Sequence, residues 1–142
     1  MNRVGHTIWR TANRASVWIY RTSKGRIAAK AKGSPVLILT VNGRKSGEPF
    51  SVPVVYFERD GGWLVVGSAG GSPQEPQWFK NLRATDHAVV QMGDQRRDVT
   101  VRVLEAADRD QAFDQVLTES PGFADYEQKS GRSMPVALLT PR

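Results

Sequence analysis

A chain of 142 residues with no cysteine and a formal net charge of +6 is long enough for one domain, which would bury about 70% of the surface its unfolded chain exposes. The missing thiols exclude disulfides, thiolate metal sites and cysteine nucleophiles, so redox chemistry would have to come from a bound cofactor. Residues 1 to 47 hold ten Lys or Arg and no Asp or Glu; this points to an anionic partner such as nucleic acid, lipid headgroups or a polyanionic small molecule, or to a solvated basic arm.

Residues 3 to about 22 have helical spacing, with Val4, Ile8, Ala12, Ala15 and Ile19 along one stripe and arginines elsewhere on the wheel. This amphipathic element (residues 1–24) is expected to end near Gly25. It either docks on the rest of the chain or makes peripheral contact with a membrane surface through residues 3–22. No apolar run reaches the roughly 20 residues of a membrane span, and arginines interrupt the N-terminal apolar residues where a signal peptide would have its core. A cytoplasmic location is expected, at most peripheral at the inner membrane surface.

From Pro35 the period changes, and residues 35–142 read as one body. Val36 to Val41 is a buried strand by length and β-branching. Asn42-Gly43 and Gly47-Glu48-Pro49 bracket a loop. Phe50 to Phe57 is a second strand, in which Pro53 marks an edge or a ligand-facing irregularity, and Trp63 to Val66 is a third. These three should form a meander with the second strand in the middle. Ser72, Pro73 and Glu75 fit the N-cap, N1 and N3 positions of a helix running to Arg83. His87 to Met92 and Arg97 to Leu104 are two more strands, Asp108 to Leu117 a helix, Phe123 to Tyr126 a helical turn and Pro135 to Thr140 a last strand. The sum is an α+β, mainly β chain: a small antiparallel barrel with helices on its outside and ends.

Two segments carry most of the chemistry. In Asn42-Gly43-Arg44-Lys45-Ser46-Gly47, Arg44 offers a fork and Lys45 a mobile point charge for a phosphate, with the Ser46 hydroxyl beside them. In Gly67-Ser68-Ala69-Gly70-Gly71-Ser72, glycines free backbone N–H groups ahead of a helix. Read separately, each is equally a polar turn or a flexible loop; together they suggest a shared anion cleft. On the following helix Trp78 and Asn81 share a face, the one suited to a planar ring and the other to its polar edge, although core packing is the commoner fate of such a tryptophan. Trp63 and Phe79 read as core. His6 and His87 lack metal-ligand spacing, and no metal centre is expected. No nucleophile elbow, Walker loop or carboxylate dyad is present. The mainly aliphatic strands do not suit an RNA-stacking sheet, so nucleic acid is not the expected partner.

The run from Leu37 to Thr40 and Gly43 to Gly47, then Pro49, Val52-Pro53-Val54, Ser68 to Gly71 and Pro76 to Arg83, resembles the deazaflavin-dependent nitroreductase family. These are actinobacterial oxidoreductases that use coenzyme F420. The resemblance covers residues from about 18 onward and implies a split β-barrel related to flavin-reductase and FMN-binding barrels. It implies that Arg44, Lys45 and Ser46 meet the cofactor phosphate and the start of its acidic tail. By the same resemblance Pro53, Val54, Val66, Ser68, Ala69, Gly70, Gly71 and Pro76 lie along the ring and ribityl chain, and Trp78 and Asn81 close the site. Close relatives often carry Lys at the place of Ala69. Tyrosines of the nitroimidazole-reducing members fall where this chain has Ser120 and Phe123, which leaves Tyr126 and points away from bulky nitroimidazoles. The implied reaction is hydride transfer to a small-molecule acceptor, an enone, unsaturated lactone or quinone, with Ser68 polarising it and Tyr126 or solvent supplying the proton. The alternatives are FMN as cofactor, quinone reduction at a membrane surface, and non-catalytic carriage of a cofactor or lipid. The oligomeric state is left open.

Overall fold

Six strands alternate inward and outward side chains with the strict period of a sheet that has two different faces. In the computed structural model, which describes residues 30–31 and 34–142, β1 is Lys30–Ala31, β2 Ser34–Asn42, β3 Pro49–Arg59 and β4 Gly62–Val66. They are followed by α1 (Gln77–Arg83), β5 (His87–Met92), β6 (Gln95–Val103), α2 (Ala106–Glu119), α3 (Phe123–Ser130) and β7 (Val136–Pro141). The sheet runs β1-β2-β3-β4-β7-β6-β5, and an additional β2–β5 pairing closes the last six into an antiparallel split barrel. The expected meander is present: Ile38 pairs Pro53 across β2–β3, and Tyr56 pairs Val65 across β3–β4. The two-residue strand β1, paired to Pro35 and Ser34, had no signal in the sequence. The N-terminal amphipathic element expected over residues 3–22 lies outside the described residues.

Leu37, Leu39 and Val41 of β2, Val52 and Val54 of β3, Val65, Val90, Val99, Val101 and Leu139 fill the barrel interior. The outward residues of β3, β4 and β7, namely Phe57, Leu64, Val66, Val136 and Leu138, form a second layer under α2 and α3 with Phe113, Val116 and Phe123. That double coverage explains why Val136 to Leu139 is an unbroken apolar run. Phe123 meets Phe57 edge-on at 5.8 Å and Tyr126 at 5.3 Å, so α3 is anchored through its first turn. Arg109 of α2 ties the layer together. Its guanidinium donates to Met134 O at 2.8 and 3.0 Å and pairs with Glu127 of α3 at 2.9 Å. Glu127 Oε2 in turn accepts the Met134 N–H at 3.0 Å.

In a closed antiparallel barrel alternate strands run the same way. The segments that follow β2 and β4 therefore leave from one end, and α1 closes that end by placing Phe79 and Leu82, both fully buried, in the interior cluster. Its start differs from the expected one. Residues Ala69–Gly71 form a single 3₁₀ turn, and the helix proper begins at Gln77 with Pro76 as N-cap. Proline disfavours helical dihedrals at the residue before it, so Glu75 cannot be helical and the Ser72-Pro73-Glu75 signature goes unused. Instead the Glu75 carboxylate takes three hydrogen bonds from Arg83 at 2.8–3.1 Å. These bonds raise the Arg83 guanidinium above its ordinary value. Farther on, the turn expected at Phe123 to Tyr126 continues as a helix to Ser130.

Candidate functional site

The β2–β3 hairpin is pinned by Gly43 N to Glu48 O at 2.8 Å and Gly47 N to Gly43 O at 2.9 Å, with Gly47 at φ +73°. It carries Arg44, Lys45 and Ser46 outward, all exposed. Arg44 bends back onto α1. Its backbone N–H and Nη1 both donate to Asn81 Oδ1, at 3.1 and 2.8 Å, and Nη2 donates to Gln77 Oε1 at 2.9 Å. Both acceptors are neutral amides, and among the described residues no carboxylate pairs with Arg44. The guanidinium is thus immobilised without having its charge cancelled, which is the arrangement an anion-binding arginine requires. Lys45 extends into solvent beside it. Ser46 Oγ accepts the Glu48 N–H at 3.2 Å, so its lone pair serves the hairpin and its hydroxyl hydrogen stays available for an anionic oxygen.

The segment after β4 bends sharply. Gly67 N bonds Pro135 O at 2.9 Å, Gly71 N bonds Ser68 O at 2.9 Å and Ser72 N bonds Ala69 O at 3.1 Å. A Cβ at Gly67 would stand 2.8 Å from Pro135 Cγ and 2.9 Å from Phe79 Cδ2, so only glycine lets the backbone pass between Pro135, just ahead of strand β7, and the helix that closes the barrel. Gly71 has φ +86°, and a Cβ there would meet Lys129 Cδ at 3.1 Å and Tyr126 Cα at 3.5 Å. The bend therefore rests on α3. Ala69 holds φ +48° without being glycine, a sparsely populated conformation of the kind that collects at ligand sites.

The sequence-predicted residues separate into groups. Arg44, Lys45, Ser46, Ser68, Ala69, Gly70, Gly71, Pro76, Trp78 and Asn81 all belong to the hairpin, the bend or α1 at one end of the barrel, with Asn81 buried against Arg44. Trp78 is half-buried, edge-on to Phe79 at 5.5 Å, and packs on the interior cluster. Tyr126 is half-buried on the α3 turn that faces the bend. The strand residues are different. Pro53 shares the outer face with its partner Ile38, whereas Val54 points into the barrel interior and Val66 into the layer beneath α2 and α3. Val54 and Val66 therefore lie on opposite faces of the sheet.

Gln77 was missed, although it sits four residues before Asn81 and so shares its helical face. Arg132, which binds the bend, also went unread; nothing in its local sequence marks it. Replacing Gly71 with alanine should destabilise the protein by about 1–2 kcal/mol, because a left-handed φ is imposed on an L residue and the new methyl crowds Lys129. Thermal unfolding with and without an anionic ligand checks this: the ligand-induced rise in Tm should shrink along with the baseline.

Among the described residues no helix is long and apolar enough to cross a membrane. A family model described as F420H(2)-dependent quinone reductase matches residues 12–141. The chain is 32% identical over 128 residues to an F420H(2)-dependent quinone reductase of Mycobacterium tuberculosis strain H37Rv, covering 87% of this chain and 86% of that protein. Among solved structures, an F420-H2 dependent reductase superposes with a TM-score of 0.66 at 34% identity, over 74% of this chain and 93% of the other. Another, described as a domain-swapped dimer, superposes with a TM-score of 0.69 at 30% identity, over 94% and 98%.

Proposed function

The chain belongs to the F420H(2)-dependent quinone reductase family, and from that premise we propose that it passes a hydride from reduced coenzyme F420 to a quinone or to another alkene conjugated with a carbonyl. It is a deazaflavin-dependent oxidoreductase, and coenzyme F420 is its cofactor. When bound, the cofactor supplies a two-electron hydride donor; the chain's own residues bind, orient and shield it. The observation that carries the reading is that the basic hairpin and the glycine bend leave the same end of the barrel, flanking an α1 to which Arg44 is bonded.

The residues present suit an anionic cofactor. Arg44 and Lys45 offer uncancelled charge to the phosphate and the first carboxylates of the tail, with Ser46 as a neutral donor beside them. Ala69, Gly70, Gly71 and Pro76 give a backbone edge without large side chains for a flat ring to approach. Trp78 closes the far side with the part of its indole that α1 leaves exposed. Asn81 acts through Arg44, whose position it sets.

Ser68 polarises the acceptor carbonyl through its hydroxyl or N–H, where negative charge grows as the hydride arrives. Tyr126, on the helix packed against the bend, returns the proton that completes a hydroquinone from a quinone, or a saturated carbonyl compound from the enolate left by hydride addition to an enone. Pro53, Val54 and Val66 act through the barrel wall.

Titration with F420 and with FMN, followed by tryptophan fluorescence, tests the cofactor. Stopped-flow oxidation of F420H2 by a naphthoquinone and by a cyclic enone tests the acceptor. Quenching by F420 in preference to FMN, with several turnovers on the quinone, is the expected result. Binding without turnover on either acceptor would reduce the protein to a carrier; a preference for FMN would remove the reading altogether.

A further inference from the structure

The α3 helix stops at Gly131, φ +69°, whose N–H bonds Glu127 O at 3.0 Å, while Ser130 Oγ accepts the Arg132 N–H at 3.2 Å. This stop turns the chain back toward the bend. Arg132 Nε then donates to Ser72 O at 3.1 Å, and Nη2 reaches Gly67 O, Ser68 O and Gln74 O, each at 3.2 Å. One guanidinium thus gathers four carbonyls of a single loop. No carboxylate among the described residues pairs with it.

The consequence follows from peptide geometry. The described peptide bonds are all trans, so each C=O points opposite to the N–H of the next residue. Drawing Gly67 O and Ser68 O toward Arg132 turns the N–H groups of Ser68 and Ala69 away from it. Among the described residues these two N–H groups have no acceptor. Ala69 is meanwhile held at φ +48°, a conformation that persists only where the surroundings over-determine it. Arg132 provides that constraint from behind, and its charge adds to the field on the open side.

We infer that Arg132 is a positioning residue, which locks the bend so that the Ser68 and Ala69 N–H groups together receive an oxygen atom bearing negative charge. This rests on the bend being part of the cofactor site. The oxygen belongs either to the cofactor or to the acceptor as it takes up the hydride, and the two sources separate kinetically. The fork geometry matters because a lysine ammonium is a point charge and cannot span four carbonyls.

The test uses Arg132→Ala and Arg132→Lys in the full chain. Without cofactor, ¹⁵N relaxation should show the Ser68 and Ala69 amides falling from rigid values near 0.85 to below about 0.6, with the barrel strands unchanged. If the oxygen is the cofactor's, the Kd for F420H2 should rise about tenfold while kcat at saturation holds. If it is the acceptor's, kcat should fall about tenfold at unchanged Kd. Guanidinium ion added to the alanine variant should restore part of either loss, and the lysine variant should not recover it. Should the alanine variant fail to fold, the lysine variant carries the same measurements. Unchanged order parameters, or a loosened bend with both constants unchanged, would overturn the inference. A wild-type protein that does not bind F420 would strike the functional reading instead, and the relaxation data would still decide whether Arg132 positions the bend.

Discussion

Replacing Phe79 with alanine is expected to cost about 3–5 kcal/mol, the range for a large aromatic removed from a core that collapses only in part. Phe79 has no exposed surface and lies in the barrel interior, edge-on to Trp78, with the Arg83 guanidinium 5.1 Å from its ring centre. For a chain of this length the loss corresponds to a fall in Tm of roughly 10–20 °C. A second effect comes from geometry. Phe79 Cδ2 stands 2.9 Å from the place a Gly67 Cβ would occupy, so the ring also buttresses the start of the bend. F420 affinity should therefore drop in Phe79→Ala even at temperatures where the protein is fully folded. Phe79→Leu, which refills most of the space, should recover more than half of the lost stability. Calorimetry and fluorescence titration at 15 °C check both parts. A Tm change under about 3 °C would mean that α1 does not close the barrel through this ring.

Much of this architecture was legible because period-2 patterning and glycine turns act locally. His87 to Met92 came out with the bounds the structure has, and the β2 and β3 strands only lengthened by one to two residues at their ends. The helix at Ser72 shows where local reading fails. Three start signals agreed there, but a single proline four residues later removed helical dihedrals from Glu75, and Arg132 took over the loop from 58 to 65 residues away. No local signal encodes such a contact. The two basic and glycine-rich segments were readable as turns with anion-binding chemistry, and their common end follows from the β2-β3-β4 meander; the bonds from Arg44 to Gln77 and Asn81 that tie the hairpin to α1 had no local signal. The opposite faces of Val54 and Val66 follow from register in the same way: each strand's alternation was visible, but not which phase faced the interior.

The largest functional effect should come from the Arg44–Asn81 pair, and it separates charge from scaffold. Arg44→Ala removes the charge-assisted contact proposed for the cofactor's anionic end, worth about 1.5–3 kcal/mol or roughly 10–150-fold in Kd. It also frees Gln77 from the hairpin and leaves Asn81 only the backbone N–H of residue 44, so some stability goes with it. Lys45→Ala should weaken F420 binding only several-fold and leave Tm within about 1 °C, since an exposed lysine is a mobile point charge. Asn81→Asp is the decisive variant. The carboxylate keeps the Oδ1 acceptor that now takes both the Arg44 N–H and Nη1, at 3.1 and 2.8 Å, so the hairpin should stay docked and Tm should hold or rise. Its charge cancels that of the guanidinium, so F420 affinity should fall about tenfold, with a shallower dependence on ionic strength than in the wild type. Holding the geometry while cancelling the charge makes the outcome readable: an Asn81→Asp protein that binds F420 as tightly as the parent would place the phosphate away from Arg44.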